Sequence, residues 1–459
     1  MIDSHVKTLQ NNIVEKYNWY KDITIEKNLF TPVNSFSNKL PFESAEFIRN
    51  AWNLIMKNNR LSDRLSLYVH IPFCYKTRCH YCMYYALIKH DTNLIDLYVQ
   101  YLIDNITYFE SVFAKSTFES LYIGGGTPSL LNEDQLSKLL TKINDFRFHP
   151  SSEKTYEQSI LTTSKEKIEL LKNFGISRLS FGMQSIEPNV LKKVNRAYAD
   201  EQKIREIIGY AKKTGFGEIN IDLMIGLPEE TSQGLRDGIQ VAYEAGADCI
   251  TVYIFRHLKH HMDQLDSARK KTIVNYNKEH VPEMLKVARE KVAEIGWVDT
   301  VEDDNTEYQY FTSEEHLREY SLSGYRTQPD SEYGNNTVGF GHSSFSYAQD
   351  FFRYECREKK YAFNPKSKSY VFDMVYKNDR QRIYTIEKLN RDRYVDLNQF
   401  LDLFGEKFED VFNQEINEIL YLERCKIDKK QFRLTSSDRI EHAALSKFFW
   451  NQEYLKQLI

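Results

Sequence analysis

Three cysteines stand close together in the stretch Leu67–Cys82, LYVHIPFCYKTRCHYC, on what reads as a short loop directly after an apolar strand. Cys74, Cys79 and Cys82 can bring three thiolates to one metal centre. Three thiolates complete the coordination of three irons in a [4Fe-4S] cube and leave the fourth iron open to a small ligand, whereas a cluster built only to carry electrons usually has four cysteines. An open iron means chemistry at the metal. Two blander readings stand beside this one. Cys79 and Cys82 with His70 or His80 could make a structural zinc site, since Cys3His is a common closed set and thiolate suits both metals, or the loop could carry unligated thiols. A disulfide is the weakest reading. Six cysteines in 459 residues form no dense framework and no signal peptide is apparent, which fits a reducing cytosol where clustered cysteines bind metal or react.

Such a loop has to be held at the end of a sheet. From Leu65 onward, Leu65–Ile71, Phe118–Ile123, Lys154–Leu161, Ser177–Met183, Glu218–Met224 and Cys249–Phe255 read as strands. Asn93–Phe113, Asp134–Phe146, Lys165–Asn173, Asp200–Lys213 and Ser232–Ala245 read as helices between them. This alternation predicts parallel β/α units, and six of them predict an open barrel whose strand-following loops gather at one face and build the site there. Gly124-Gly125-Gly126-Thr127-Pro128 follows the second strand, where a backbone without Cβ atoms can approach a ligand and present its amides. Taken alone, a glycine run is equally a tight turn.

Residues 1–64 are polar apart from an amphipathic segment, Ser44–Met56, with Phe47, Ile48, Trp52 and Ile55 at helical spacing. Asn275–Ile295 reads as a long helix. From about Phe372 the chain is helical and charged, with Phe400–Phe412 and Glu415–Arg424 leading to a hairpin-like stretch, Lys426–Leu434. Apolar residues make up 41% and charged residues 27%, ordinary for a globular chain, and no run of about 18 uncharged apolar residues is present to span a bilayer. A net charge of -4 argues against a dedicated nucleic-acid surface, which shows as a strongly basic domain. No nucleic-acid or membrane partner is expected.

Tyr-Val-His-Ile-Pro-Phe-Cys (Tyr68–Cys74) followed by Cys-His-Tyr-Cys (Cys79–Cys82) resembles the cluster loop of radical S-adenosylmethionine (SAM) enzymes, specifically the family of oxygen-independent coproporphyrinogen III oxidase and its relatives. One departure is plain: the family has three residues between its first two cysteines, and here Tyr75, Lys76, Thr77 and Arg78 make four. Tyr-Ile-Gly-Gly-Gly-Thr-Pro-Ser-Leu-Leu, with Gly125, Gly126 and Thr127, is similar to the loop that holds the methionine end of SAM in that family, and Glu157 lies where the family places a carboxylate on the SAM amino group. Ser177–Ser185 followed by Val194-Asn195-Arg196 closely resembles the segment whose glutamine and arginine contact SAM, here Gln184 and Arg196; an arginine fork suits a carboxylate. Asn220–Pro228 continues the likeness, and Asp222 at the end of a buried strand suits ribose hydroxyls. The resemblance further implies SAM contacts for Tyr68, Tyr81, Arg256 and Phe345. Tyr325-Arg326-Thr327-Gln328 and Gly339–Phe345 look like the family's return segment, with His342 as a packing residue or a proton donor.

The resemblance implies an α/β protein: a partial (β/α)6 barrel over 65–300, preceded by a cap segment 1–64, followed by a barrel-associated return segment 301–371 and a small, mostly helical, winged-helix-like domain 372–459. It implies a [4Fe-4S] cluster, one SAM or two, a cytoplasmic enzyme fed electrons by a donor such as flavodoxin or ferredoxin, and a radical acting on an organic small molecule. Two departures point away from porphyrinogen decarboxylation. Tyr84 replaces a fourth cysteine, and Leu29-Phe30-Thr31-Pro32-Val33-Asn34 replaces the family's Arg-Tyr-Thr-Ser-Tyr-Pro. A divergent enzyme performing methyl transfer or ring formation is therefore preferred to the oxidase, to a haem chaperone of the same family and to a zinc-stabilised binding protein.

Overall fold

The computed structural model describes residues 2–26, 41–57, 65–82, 84–88, 90–255, 267–300, 308–319, 336–348, 351–357, 365–374, 377–436, 438–450, 452 and 455. Arg256 and the stretches 29–34 and 325–328 lie outside the described residues.

The chain begins with helix α1 (Ile2–Glu26), strand β1 (Phe42–Ser44) and helix α2 (Ala45–Lys57). Strands and helices then alternate as β2 (Leu65–Ile71), α3 (Thr92–Glu110), β3 (Phe118–Gly125), α4 (Glu133–Ile143), β4 (Phe148–Gln158), α5 (Lys165–Asn173), β5 (Arg178–Gln184), α6 (Pro188–Lys193), α7 (Glu201–Thr214), β6 (Glu218–Ile225), α8 (Ser232–Ala245) and β7 (Cys249–Ile254). Helix α9 (Ser267–Glu294) precedes β8 (Trp297–Asp299), β9 (Tyr308–Ser313), β10 (Asn336–Phe340), β11 (Phe345–Ala348), β12 (Phe352–Cys356) and β13 (Lys368–Met374). These strands form one sheet of 13 in the order β1-β13-β12-β11-β10-β2-β3-β4-β5-β6-β7-β9-β8. β2 to β7 are consecutive and parallel, which is the expected open six-unit barrel.

Five of the six expected strands start within one residue of the observed position; β4 is the exception, starting at Phe148 rather than Lys154. Its pairing with β3 jumps from Phe118↔Phe148 to Ser120↔Glu153. Such a bulge lifts the polar residues in between off the ladder, so alternation gives no signal there. The return segment is an antiparallel extension, β10 to β13, that joins β2 through the parallel pair β10·β2.

Because side chains alternate along a strand, each barrel strand has an apolar outer face and a polar inner one. Leu67, Val69, Leu121, Ile123, Leu179, Phe181, Ile219, Ile221, Ile250 and Val252 join the core beneath the helices. Ser66, Ser120, Thr155, Ser180, Asn220 and Thr251, on the alternate positions, are buried polar residues. At the N-terminal ends of the strands, buried Arg178 pairs with Glu218. Tyr310 Oη donates to Glu218 Oε2 at 2.9 Å, and His316 Nε2 lies 3.1 Å from the same oxygen. Burial pushes the Glu218 carboxyl up, but the Arg178 charge and the hydrogen bonds from His316, Arg178 and Tyr310 outweigh it and hold it at about 2. Neighbouring Glu153 is pushed up to about 7 by burial, which the Arg178 charge opposes only in part.

The C-terminal residues form helices Lys377–Asp392, Leu397–Phe404, Phe408–Val411, Asn413–Tyr421 and Arg439–Ser446 around a three-stranded antiparallel sheet of β14 (Tyr394–Asp396), β15 (Cys425–Ile427) and β16 (Gln431–Leu434). The expected helix Phe400–Phe412 is two helices, broken after Phe404 at Gly405. Phe400, Phe404, Phe408, Phe412, Phe432 and Phe449 build a core of their own, and α1 inserts Tyr17, Tyr20 and Ile23 into it. β1 and α2 pack instead against the barrel sheet, where Trp52 Nε1 donates to Tyr354 Oη at 2.8 Å. The stretch read as a single cap thus serves two cores. Among the described residues, no helix is long and apolar enough to cross a membrane.

Candidate radical-chemistry site

β2 runs directly into the cysteine loop. Leu87 N–H donates to Pro72 O at 2.7 Å and Cys74 N–H to Leu87 O at 3.0 Å, so the loop returns to its own base. The four residues between Cys74 and Cys79 open with a three-residue turn. Thr77 N–H donates to Tyr75 O at 2.7 Å, with Lys76 between them at φ 62°, the strained form of the γ-turn. Arg78 Nη2 donates to the carbonyls of Cys82 and Tyr84, each at 3.2 Å. The far side of the loop is fastened to the end of α6: His80 N–H donates to Val194 O at 3.0 Å, Thr77 Oγ1 to Asn195 O at 2.8 Å and Asn195 Nδ2 to Arg78 O at 2.9 Å.

All three thiols are partly buried. Burial pushes Cys74 up to about 11, and the nearby Cys82 and Cys79 add to it; burial raises Cys82 as well. Without added positive charge Cys74 and Cys82 stay protonated near pH 7, whereas a bound metal deprotonates its thiol ligands outright. A single zinc ion at about 2.3 Å from each sulfur needs its ligands converged on one point. Among the described residues no three His, Cys, Asp or Glu side chains converge so. Of the histidines considered for zinc, His70 has Nδ1 engaged with Tyr68 Oη at 2.8 Å. Thiolates that each bind a different iron of one cube stand farther apart, and three soft donors on one short loop fit that group.

The glycine loop lies against the base of the cysteine loop. Gly126 N–H donates to Ile71 O at 2.7 Å, and a Cβ on Gly126 would stand 2.5 Å from the Phe73 carbonyl oxygen. Backbone meets backbone there, so only glycine fits. Thr127 hydrogen-bonds Cys74 from the same loop. Glu157, at the end of β4, accepts Tyr122 Oη–H at 2.6 Å on Oε1 and Gly125 N–H at 3.0 Å on Oε2. Burial pushes Glu157 up to about 7, helped by the charge of Asp222 and opposed by the Tyr122 bond. A carboxylate so desolvated gains most from a cation such as an ammonium group. Tyr68 stands beside this pair, its ring centroid 6.2 Å from that of Tyr122.

β5 ends in a ladder irregularity between Gly182 and Gln184, with Gln184 at φ 70°. A Cβ on Gly182 would lie 2.8 Å from Arg196 Nη2 and 3.0 Å from Gln184 Nε2, so the two side chains flank it. Arg196 donates to Gly182 O, to Tyr81 Oη at 2.9 Å and to Cys79 Sγ at 3.7 Å. Asp222 accepts from Asn220 Nδ2 at 2.7 Å and Ser180 Oγ at 3.1 Å, and burial raises its carboxyl pKa.

The structure therefore brings Cys74, Cys79, Cys82, Tyr81, Gly125, Gly126, Thr127, Glu157, Gln184, Arg196 and Asp222 to the ends of β2 to β6, with Tyr68 a step below. Phe345 opens β11, which β10 separates from β2. The turn before it reaches the rim, since a Cβ on Gly341 would lie 2.6 Å from His70 O. His342 stacks edge-on with Tyr85 at 4.2 Å between ring centroids. Tyr122, Ser180 and Asn220, which hold Glu157 and Asp222, were not singled out by the sequence; their polar side chains at alternate strand positions are the signal that could have found them. One carboxylate on the Gly125 amide and one guanidinium beside a thiol, about a polar barrel interior, set opposite charges of the kind that complement a zwitterionic group.

Residues 68–241 match the family model of the radical SAM superfamily. The oxygen-independent coproporphyrinogen III oxidase of Salmonella typhimurium is 33% identical over 195 residues, 42% of this chain and 42% of that protein. The heme chaperone HemW of Bacillus subtilis is 35% identical over 191 residues, 41% of this chain and 49% of its own length. The oxygen-independent coproporphyrinogen III oxidase of Synechocystis sp. is 27% identical over 334 residues, 70% of this chain and 68% of its own. The first two matches thus span under half the length of those relatives. Among solved structures, coproporphyrinogen III oxidase from Escherichia coli superposes with a TM-score of 0.69 at 22% identity, covering 90% of this chain and 96% of that one, a likeness of fold.

Proposed function

The chain carries a radical SAM domain over residues 68–241, and from that premise we propose that it binds a [4Fe-4S] cluster through Cys74, Cys79 and Cys82, takes SAM beside it and turns it over reductively to act on an organic small molecule. The bond from Arg196 to Cys79 carries this reading, because it sets a carboxylate-binding fork against a thiol of the cluster loop. When bound, the cluster and SAM supply a carbon radical, the hard chemistry being the cofactor's. The chain's part is positioning. Arg196 would take the SAM carboxylate, Glu157 with the Gly125–Thr127 loop the amino group, and Asp222, oriented by Ser180 and Asn220, the ribose hydroxyls. Tyr68, Tyr81 and Gln184 would pack about it, with Arg256 and Phe345 proposed to complete the site.

Reduced holoprotein with SAM is expected to release 5′-deoxyadenosine. Arg196→Ala and Asp222→Ala should each weaken SAM binding by roughly ten- to hundredfold, the loss of one charge-assisted hydrogen bond. Unchanged affinity in both would show that these positions do not hold SAM.

For the substrate, we prefer a reaction other than porphyrinogen decarboxylation, such as methyl transfer or ring formation, with a second SAM as a co-substrate for either. Tyr84, in place of a fourth cysteine, is 47% exposed and carries no thiol to the rim. Cluster-replete protein with SAM and a strong reductant is therefore expected to leave coproporphyrinogen III undecarboxylated. Robust loss of two carboxyl groups would restore the oxidase reading. The likeness to a heme chaperone supports a second reading, haem binding without turnover; haem uptake with no deoxyadenosine formed would favour it. A cytoplasmic setting suits the reduced thiols.

A further inference from the structure

We propose that Thr251 is a positioning residue for the ribose of SAM: acting through Asn220, it fixes Asp222 as an acceptor of hydroxyl donors, so that the site selects a ligand with an intact 2′,3′-diol. The proposal rests on the SAM reading of the site. Three neighbouring strands supply the parts. Parallel pairing sets Ser180 of β5 beside Asn220 of β6, and Asp222 of β6 beside Thr251 of β7. Ser180, Asn220 and Thr251 are buried in the barrel interior, whereas Asp222 is partly exposed.

An asparagine amide carries an acceptor on one arm and two donors on the other, and its neighbours decide which way round it stands. Thr251 Oγ1 donates to Asn220 Oδ1 at 2.9 Å, and Cys249 Sγ, a weak donor, lies 3.3 Å from the same oxygen. The amide nitrogen is thereby turned the other way. It donates to Asp222 Oδ1 at 2.7 Å and to Ser180 Oγ at 2.9 Å, and Ser180 Oγ in turn donates to Asp222 Oδ2 at 3.1 Å. Each member accepts from behind and donates forward, so both carboxylate oxygens receive a donor from the barrel interior. Reversed, the amide would set its oxygen against a carboxylate oxygen, which only a protonated Asp222 would relieve.

An ionised carboxylate accepts at about four positions. With two of them filled from inside, the others take donors from a ligand, and a ribose diol supplies two. Burial pushes the Asp222 carboxyl up, while the Arg178 charge, the bonds from Asn220 and Ser180, and the Arg196 charge oppose it. The ionised form thus depends on donors that face the right way. Without the Thr251 hydroxyl the amide loses the stronger of the two groups that turn its oxygen away from Asp222, and the carboxylate becomes a poorer partner for a diol while the rest of the ligand is held as before.

The test uses cluster-replete full-length protein and two probes, S-adenosylhomocysteine and its 2′,3′-dideoxy analogue, each titrated by calorimetry. The parent is expected to bind the diol-bearing probe at least about tenfold more tightly, as a site built to pair hydroxyls does. Thr251→Val, which keeps the shape and removes the donor, should weaken S-adenosylhomocysteine by about three- to tenfold, the worth of one hydrogen bond. It should leave the affinity for the dideoxy analogue unchanged, which shows that fold and adenosyl site are intact. Thr251→Ser, which keeps the hydroxyl, should retain most of the parent's discrimination. Equal affinity of the parent for both probes, unchanged discrimination in Thr251→Val, or an equal loss of both probes in that variant would overturn the positioning role and leave the SAM reading untouched. A parent protein that binds neither probe would instead sink that reading, and this proposal with it.

Discussion

Protein purified without oxygen is expected to be brown and to hold about four irons and four sulfides per chain, and replacement of Cys74, Cys79 and Cys82 together by alanine is expected to remove all of it. The expectation is all-or-none because these three cysteines are the thiols that the cysteine loop holds at the rim, whereas Cys249, Cys356 and Cys425 are buried elsewhere. The raised pKa of Cys74 gives the result a direction in pH. A thiol pushed up to about 11 by burial and by its neighbours must release its proton to bind, so cluster uptake should quicken with pH across the neutral range. Iron, sulfide and zinc analysis of parent and triple variant decides the matter. Colourless parent protein with one zinc after anaerobic reconstitution would overturn the cluster assignment.

The second large effect lies at the opposite end of the barrel. Arg178→Ala should destabilise the fold by roughly 3–5 kcal/mol, because it leaves Glu218 charged and buried without its partner. Against a total of about 5–15 kcal/mol, that loss should shift the urea midpoint strongly. Replacing both members by apolar residues, Arg178→Met with Glu218→Leu, should recover most of it. The carboxylates give opposite pH signatures. Glu218, held at about 2, contributes stability that is present above its unfolded value of about 4.3 and is lost as pH falls toward 2. Glu153, pushed up to about 7, contributes stability present below about 4.3 and lost as pH rises through 7. Glu153→Gln should therefore gain on the parent at pH 8 relative to pH 5. Equal midpoints for Arg178→Ala and the parent would mean that the pair holds nothing together.

Local chemistry is what the amino-acid order displays best. The cysteines and the glycine run are each contiguous, and the strands that carry them are buried on both sides, so Leu65–Ile71 was legible to the residue. What stayed hidden depends on contacts between distant positions. Tyr122 reads as an ordinary strand aromatic until β4 brings Glu157 to its hydroxyl. Arg178 and Glu218 are 40 residues apart and meet only because β5 and β6 pair in register there. The polar stretch 149–152 carries no alternation because it is lifted off the ladder, and α1, in a stretch taken as polar, gives no sign of the core it joins. The four-residue spacing is visible as a count, but its resolution into a turn at Lys76 is a property of the backbone.

The docking of α1 sets an order of events during synthesis. Tyr17, Tyr20 and Ile23 leave the ribosome early, yet the partners that cover them begin at Tyr384 and end at Leu455. With about 360 residues to be made in between, at about 5–20 residues per second, the aromatic face of α1 waits roughly 20–70 s for its core. Over that interval the barrel can form as a unit, since its core contains, among the described residues, nothing from α1, while that helix, made before the barrel, finds its own core only after it.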